Sequence, residues 1–149
     1  MRRRCRGTVL VIGFILFCNA EGWGENWKRL PVRDGGDFYY DAESITRPSK
    51  DVIRVWDKAV YSKKLVTATV KVLGERYKTL NHSKNLIELH CTEKKGRVLK
   101  IVYYSTDGGV LDSYNYSREL DWKFIVPGTV LDDLYKILCK QITRTKGEP

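Results

Sequence analysis

The chain has 149 residues, of which 27 are basic and 18 acidic, giving a formal net charge of +9. Its length fits one domain plus a short leader and argues against a multidomain protein. The hydrophobic fraction of 42% and the charged fraction of 30% are typical of a folded protein and argue against intrinsic disorder.

The first 20 residues have the three-part layout of a secretory signal peptide. Four arginines precede an uncharged apolar run from Thr8 to Cys18, and small residues then offer a cleavage site after Ala20. This run is about half as long as the roughly 20 residues that span a bilayer, so we predict export without a membrane span. The predicted location is the periplasm, the cell surface or the exterior.

Cys18 provides an alternative to simple cleavage, since a bacterial lipoprotein carries its lipid on a cysteine at the end of the apolar run. Such sites take a small residue immediately before the cysteine, and Phe17 stands there. The pattern therefore favours cleavage after Ala20 over a lipid anchor at Cys18.

Cleavage would remove four arginines, lowering the basic count from 27 to 23 against 18 acids, so the net charge of the mature chain is +5. The remaining charges of both signs are interleaved. No basic stripe of the kind that neutralises consecutive phosphates is present, and we expect no nucleic-acid partner. A mildly basic surface suits anionic glycans, lipid head groups or acidic proteins.

The first half of the mature chain predicts short strands separated by turns. Glu21 to Val32 is expected to form the first strand, with Trp27 and Leu30 as core anchors, and a short aromatic strand follows. Pro48 is expected to break the ladder of that region. Asp51 to Ser62 is the clearest strand, because β-branched and aromatic residues alternate with charges.

Two interpretations remain open for residues 63–84. Valines and threonines favour a strand, whereas Leu65, Thr69, Val72 and Leu73 lie at helical spacing. The pattern alone does not decide between them.

Residues 85–117 predict three consecutive antiparallel strands joined by two tight turns. Glycines supply the positive φ of tight hairpin turns, and the second turn contains Asp107-Gly108-Gly109. Period-two alternation places three residues of the first strand on one face: Ile87, Leu89 and Cys91. In the second strand, alternation places Leu99, Ile101 and Tyr103 on one side.

A last extended segment precedes a C-terminal helix, for which Thr129 and Asp132 form a start signal resembling a capping box. The helix has one apolar face and should pack against the sheet. We therefore predict an α+β, mainly β fold: an antiparallel meander sheet of about six strands covered by a C-terminal α-helix. The domain is expected over residues 21–142, with a flexible tail at 143–149.

Cys91 and Cys139 are the two cysteines outside the leader. An even count in an exported chain predicts a disulfide between them. The alternative is a pair of unpaired buried thiols. The absence of Cys-x-x-Cys spacing argues against a redox-active site.

Catalysis and metal binding find no support in the sequence. The two histidines, His82 and His90, show no paired ligand spacing, and nothing like a nucleophile elbow surrounds Ser83. We therefore predict no metal site, no cofactor, no catalytic residue and no enzymatic activity.

Tyrosines stand in adjacent pairs or at alternate positions along the predicted strands. In each adjacent pair one ring must face away from the core, and tyrosine is enriched at recognition surfaces. The candidate binding surface comprises Tyr40, Tyr104, Tyr114 and Tyr116. The alternative is that these rings pair across strands and only stabilise the sheet.

A series of short motifs, in order along the chain, resembles the bacterial surface-adhesin protein E-like domain family. The matching pieces are Trp27-Lys28, Tyr39-Tyr40-Asp41, Val55-Trp56-x-Lys58, Leu89-x-Cys91, Tyr103-Tyr104, Ser113-Tyr114, Ile125-x-Pro127 and Leu134-Tyr135-x-x-Leu138-Cys139. Each motif is weak alone, and together they span roughly residues 27–140.

The resemblance implies an antiparallel sheet covered by a C-terminal helix, with a disulfide onto which Cys91 and Cys139 map. It also implies adhesion to host matrix and plasma glycoproteins, a capacity to form a homodimer, and haem binding. The expected function is an exported, non-catalytic, adhesin-like binding module for protein or glycan surfaces. The alternatives are a periplasmic carrier of a small flat ligand such as haem and an envelope structural component.

Overall fold

The computed structural model describes residues 24–31, 35–116 and 121–140. The strands are β1 (Trp27–Arg29), β2 (Gly36–Asp41), β3 (Thr46–Ser49), β4 (Val52–Tyr61), β5 (Leu80–His90), β6 (Lys95–Ser105), β7 (Val110–Asn115) and β8 (Lys123–Phe124). The α-helices are α1 (Lys63–Leu73) and α2 (Val130–Leu138), and 3-10 turns cover Ala42–Ser44 and Glu75–Thr79. The predicted leader and tail lie outside the described residues.

One antiparallel sheet organises the molecule. Its strand order is β1-β2-β4-β5-β6-β7, while β3 pairs with the start of β4 and β8 pairs with the start of β6. The described chain is thus a six-strand meander with two short extensions, and a helix at its C-terminal end. This confirms the predicted mainly β, α+β fold.

The two faces of the sheet differ in composition because side chains alternate along each strand. We call the face that packs against α2 the covered face and the opposite one the outer face. On the covered face Ile53, Val55, Ile87 and Leu89 are at most 3% exposed and form one cluster with Leu134 of α2. Each such fully buried aliphatic side chain contributes about 1.5–3 kcal/mol to folding.

The first strand was predicted to place both Trp27 and Leu30 in the core, and only one of them lies there. Leu30 is buried in the core, as expected, but Trp27 is half-buried and pairs with Asp41 on the outer face. The prediction of Trp27 as a core anchor was wrong, because the two residues are three apart and lie on opposite faces of the strand.

Residues 63–84 contain a helix followed by a strand. The side chain of Ser62 accepts a hydrogen bond from the Leu65 amide (3.3 Å) and caps the start of α1. The helix ends at Leu73, and Gly74 follows as its C-cap with a φ of +100°, a value that suits glycine. A 3-10 turn then leads to β5 at Leu80.

Two local irregularities differ from the predicted pattern. Pro48 does not end the ladder but lies inside β3, where the register shifts between Thr46 and Ser49; a missing N–H is tolerated at such a bulge on a short strand. In β6, Leu86 pairs with Lys100 but Ile87 with Val98, so Leu99 is an extra residue. That bulge places Val98 against the core and breaks the predicted alternation.

Helix α2 begins as predicted. The Thr129 hydroxyl accepts a hydrogen bond from the Asp132 amide (3.3 Å), and the Asp132 carboxylate accepts one from the Gly128 amide (3.0 Å). Lys136 lies 2.7 Å from the same carboxylate, so the pKa of Asp132 falls to about 2.

Within the described ranges no helix has the length and apolar composition needed to cross a bilayer.

Candidate binding surface

The disulfide joins Cys91, just after β5, to Cys139, at the end of α2, with their Cα atoms 5.3 Å apart. Both cysteines are buried in the core. Beside the bridge, the Tyr135 hydroxyl donates a hydrogen bond to the Cys91 carbonyl oxygen (2.9 Å). The bridge and this hydrogen bond fix the end of α2 against the covered face.

The structure does not bring the four candidate tyrosines onto one surface. Tyr40 packs against the core on the covered face, and its neighbour Tyr39 lies on the outer face. Tyr104 lies on the outer face, Tyr114 lies on the covered side near the β7 edge, and Tyr116 lines a separate cleft. Strand alternation and the width of the sheet separate them.

Tyr114 belongs to a hydrogen-bonded network around Tyr77, whose side chain is fully buried. The hydroxyls of both tyrosines donate to the Asp112 carboxylate, at 2.8 Å from Tyr77 and 2.7 Å from Tyr114, and Arg76 pairs with the same carboxylate. Burial raises the pKa of Tyr77 well above its usual range. The network ties the 3-10 turn to β7, which gives Tyr114 a structural role.

The outer face instead brings aromatic rings and lysines together. The Lys58 ammonium lies 4.4 Å from the Trp27 ring centroid and 5.2 Å from that of Tyr39. The Lys84 ammonium lies 5.5 Å from the Trp27 ring. Such cation–π contacts contribute about 0.5–1 kcal/mol at exposed sites and hold the rings in place.

His82 stacks on Tyr104 on the same face, with ring centroids 4.7 Å apart and planes 8° from parallel. Burial, followed by the nearby charges of Lys58 and Lys84, lowers the pKa of His82. The imidazole is therefore neutral at neutral pH. It presents one donor and one acceptor rather than a charge.

Carboxylates around the N-terminal segment neutralise part of this positive charge. Glu25 accepts hydrogen bonds from Lys84 (2.5 Å) and from the Trp27 indole nitrogen (2.8 Å), and these lower the pKa of Glu25. Asp41 accepts hydrogen bonds from the backbone amides of Asn26 (2.8 Å) and Glu43 (3.1 Å). The segment is thereby fixed beside the sheet.

Two shallow depressions adjoin on this face and share Glu25, Asp41 and Trp56; we call them together the Trp56 groove. The smaller, of about 230 Å3, is also lined by Trp27, Lys84 and Tyr104. The larger, of about 420 Å3, is also lined by Gly24, Glu43, Ser44, Thr46, Arg54 and Leu86. Aromatic walls with a polar rim are the usual composition of a recognition site.

The neighbouring part of the outer face carries a buried ion cluster. Glu88 is 2% exposed and accepts from Arg54 (2.6 Å) and Arg97 (2.7 Å). Burial opposes ionisation, but the hydrogen bonds from the two arginines outweigh it and lower the pKa of Glu88. The guanidinium of Arg97 also stacks 4.3 Å from the Trp122 ring. Arg54 is thus held in position at the rim of the groove.

An apolar cleft of about 340 Å3 lies between β6 and α2 and is lined by Val98, Ile101, Tyr116 and Leu131, with charged residues at its rim. Tyrosine is one of the side chains that ligate haem iron. Tyr116 is the one such residue among those lining the cleft, and both histidines lie elsewhere. The cleft thus offers a single candidate ligand for haem.

A carboxylate lies near the middle of the covered face. The Asp57 carboxylate accepts a hydrogen bond from the Asn85 amide (2.5 Å). Burial raises the pKa of Asp57 from 3.8 to about 7. Its protonation state therefore changes near neutral pH.

The described ranges contain no group of three or more His, Cys, Asp or Glu side chains that could hold a metal ion. The Ser83 hydroxyl is 3.0 Å from the Tyr61 hydroxyl and is buried, and alternation points His82 to the other face. No serine–histidine pair forms at this position.

Trp27 and Trp56 are the functional candidates that sequence reasoning missed. A signal was present for Trp56, which follows Val55 in the strand, so that burial of Val55 directs Trp56 outward. No comparable signal marks the approach of Trp27 to Lys84, which depends on how the N-terminal segment lies beside the sheet.

Comparison with known proteins gives a family and two similar structures. A family model described as surface-adhesin protein E matches residues 27–140. Protein E of Haemophilus influenzae, in crystal form II, is 14% identical with a TM-score of 0.49, covering 80% of this chain and 98% of that one. Protein E from non-typeable Haemophilus influenzae is 16% identical with a TM-score of 0.45, covering 81% and 88% respectively. No curated protein matches the chain.

Proposed function

Because the chain belongs to the surface-adhesin protein E family, we propose that it is an exported, non-catalytic binding module that contacts a protein or glycan partner through the outer face of its sheet. The observation that carries this proposal is the Trp56 groove, where three aromatic side chains remain half-buried beside charged groups. Membership of the family supports an adhesin-like role, and the groove supports the location of the contact.

The composition of the outer face suits a surface that contacts a partner better than one that contacts only water. A face that only meets water gains little from tryptophan, whereas Trp27, Trp56 and Tyr104 offer large rigid contact areas with polar tips. Cation–π contacts and hydrogen bonds hold Trp27 before a partner arrives. Less conformational entropy is then lost on binding.

Alanine substitution of Trp56 or Tyr104 tests this proposal. Each variant should lose at least about tenfold in affinity for immobilised matrix or plasma glycoproteins, since central aromatic residues dominate interface energetics. Surface plasmon resonance with the mature protein measures the affinity. The matched control is Phe124→Ala, because Phe124 is an exposed aromatic residue on β8 (77%), and it should change affinity less than about twofold.

Circular dichroism and thermal unfolding establish that each variant is folded. Folded Trp56→Ala and Tyr104→Ala variants that bind as tightly as the parent protein would refute a contact through the outer face.

A further inference from the structure

We propose that the Trp56 groove is a saccharide site that takes an uncharged sugar segment of a glycan. This inference rests on the proposed function, because it names the chemical class of partner for the same surface. Four observations support it: the shape of the groove, its rings, its hydrogen-bonding groups and its balance of charge.

Shape is the first observation. The two depressions, of about 230 and 420 Å3, adjoin at Trp56 and form an open trough rather than a closed cavity. An open trough admits part of an extended chain from the side, whereas a small free metabolite is usually held in an enclosed pocket. The dimensions suit a few consecutive units of a polymer.

The rings are the second observation. Trp27, Trp56 and Tyr104 line the smaller depression and give it aromatic surface. Pyranose sugars carry C–H bonds on one face that pack on aromatic rings, while their hydroxyls point sideways. Aromatic side chains supply this contact and retain a polar tip for the rim.

The hydrogen-bonding groups are the third observation. The lining mixes acceptors, such as the carboxylates of Glu25 and Glu43, with donors such as Lys84 and Arg54 and with the Ser44 hydroxyl. A sugar hydroxyl donates and accepts at once, so a site with both kinds of group satisfies it. Carboxylate, ammonium and guanidinium groups can each make several hydrogen bonds, so groups that already have a partner in the protein can also bind a sugar hydroxyl.

Charge balance is the fourth observation and separates a neutral sugar from other partners. Lys84 is paired with Glu25, and Arg54 is paired with Glu88. The Asp41 carboxylate accepts hydrogen bonds from two backbone amides. Glu43 accepts a hydrogen bond from the Asn26 side-chain amide (3.3 Å). Each charged group of the lining thus already has a partner, so a polyanion or a basic peptide gains less electrostatic attraction from it than from an unpaired charge.

The test is a glycan array probed with the folded mature protein. The array carries neutral oligosaccharides ending in galactose, glucose, mannose or N-acetylglucosamine, together with sialylated and sulfated glycans. We expect retention of at least one neutral glycan, changing less than about twofold when the salt concentration rises to about 0.5 M, because screening acts on charges. Trp56→Ala should reduce retention at least about tenfold and Phe124→Ala should leave it unchanged.

Tyr104→Ala and Glu25→Gln serve as further variants if Trp56→Ala does not fold. The inference is overturned if no neutral glycan is retained by the folded protein. Retention confined to sulfated or sialylated glycans and abolished by salt also overturns it, as does retention that survives every folded groove variant.

Enzymatic deglycosylation of a bound matrix glycoprotein separates this inference from the proposed function. Loss of binding on deglycosylation supports the saccharide site. Binding that persists on the deglycosylated protein and still requires Trp56 leaves the proposed function intact and overturns the sugar inference. Binding that never depends on groove residues overturns both.

Discussion

Asp57 places an ionisable carboxyl group on the covered face of the sheet, where burial raises its pKa from 3.8 to about 7. The unfolded chain therefore releases this proton at a lower pH than the folded chain does. Between about pH 4 and pH 7 the folded state binds more protons, so the free energy of unfolding falls as the pH rises. Above about pH 7 the folded state bears the full free-energy cost of burying the ionised Asp57 carboxylate.

We expect Asp57→Asn to raise the free energy of unfolding at pH 8 by about 1–3 kcal/mol, because the amide has no charge to desolvate. At pH 4 the variant and the parent should differ little. Urea unfolding at pH 4, 6 and 8 measures the effect. Asp37→Asn is the matched control, since Asp37 is an exposed partner of Arg29. A variant no more stable than the parent at pH 8 contradicts the explanation.

Single residues also show what the sequence could and could not predict about the candidate site. Adjacent tyrosines require one ring to face outward, but the pattern does not say which one. Tyr39 faces outward and Tyr40 inward because the register with β4 pairs Tyr40 with Asp57 on the covered face. Register depends on two strands at once and cannot be read from either strand alone.

Helix α2 is the element whose attachment has the largest expected effect on stability. The Cys91–Cys139 bridge encloses 48 residues of sequence separation, and the loop-closure model assigns such a bridge up to about 4 kcal/mol. We expect its reduction to lower the free energy of unfolding by about 2–4 kcal/mol. Urea unfolding with and without dithiothreitol gives the difference.

Tyr135→Phe is the matched control for the bridge, because it removes the hydroxyl that bonds the Cys91 carbonyl and keeps the covalent link. It should cost about 1 kcal/mol in both redox states. Equal stability of the oxidised and reduced proteins would show that the bridge does not contribute to the stability of the fold.

Elements were predictable where local signals agreed. The alternation of apolar residues indicates β4, and the glycines of the turn indicate the hairpin at Gly108. The cap residue and the apolar face together indicate α2. Residues 63–84 were ambiguous because β-branched side chains compete with helical spacing, and the Ser62 cap favours the helix. The bulge at Leu99 has no such local signal, since it arises from pairing with β5.

At the scale of the whole molecule, the fold places its core and its candidate binding surface on opposite faces of the sheet. The covered face contains the core, the disulfide and α2, while the outer face holds half-buried rings and paired charges. We therefore expect substitutions in the groove to leave the packing of the core unchanged. This separation is why binding and folding of variants can be measured independently.

The proposed function requires that the chain be exported, so export is a direct test of it at the scale of the whole chain. We expect the mature protein to begin at Glu21, because the predicted leader has a short apolar run that is followed by small residues. Intact-mass analysis of protein from the periplasm, cell surface and medium measures the N-terminus. A diacylated N-terminus at Cys18 would instead show a lipid-anchored protein, and a cytoplasmic chain that retains Met1 would contradict export.

The Trp56 groove draws its lining from five separate stretches of chain, around Glu25, Ser44, Trp56, Lys84 and Tyr104. No short peptide holds all five stretches, and only the paired sheet brings them within reach of each other. The surface is therefore a conformational epitope. Antibodies that block it should recognise the native domain and fail on the denatured chain, and immunisation against it requires the folded protein rather than linear fragments.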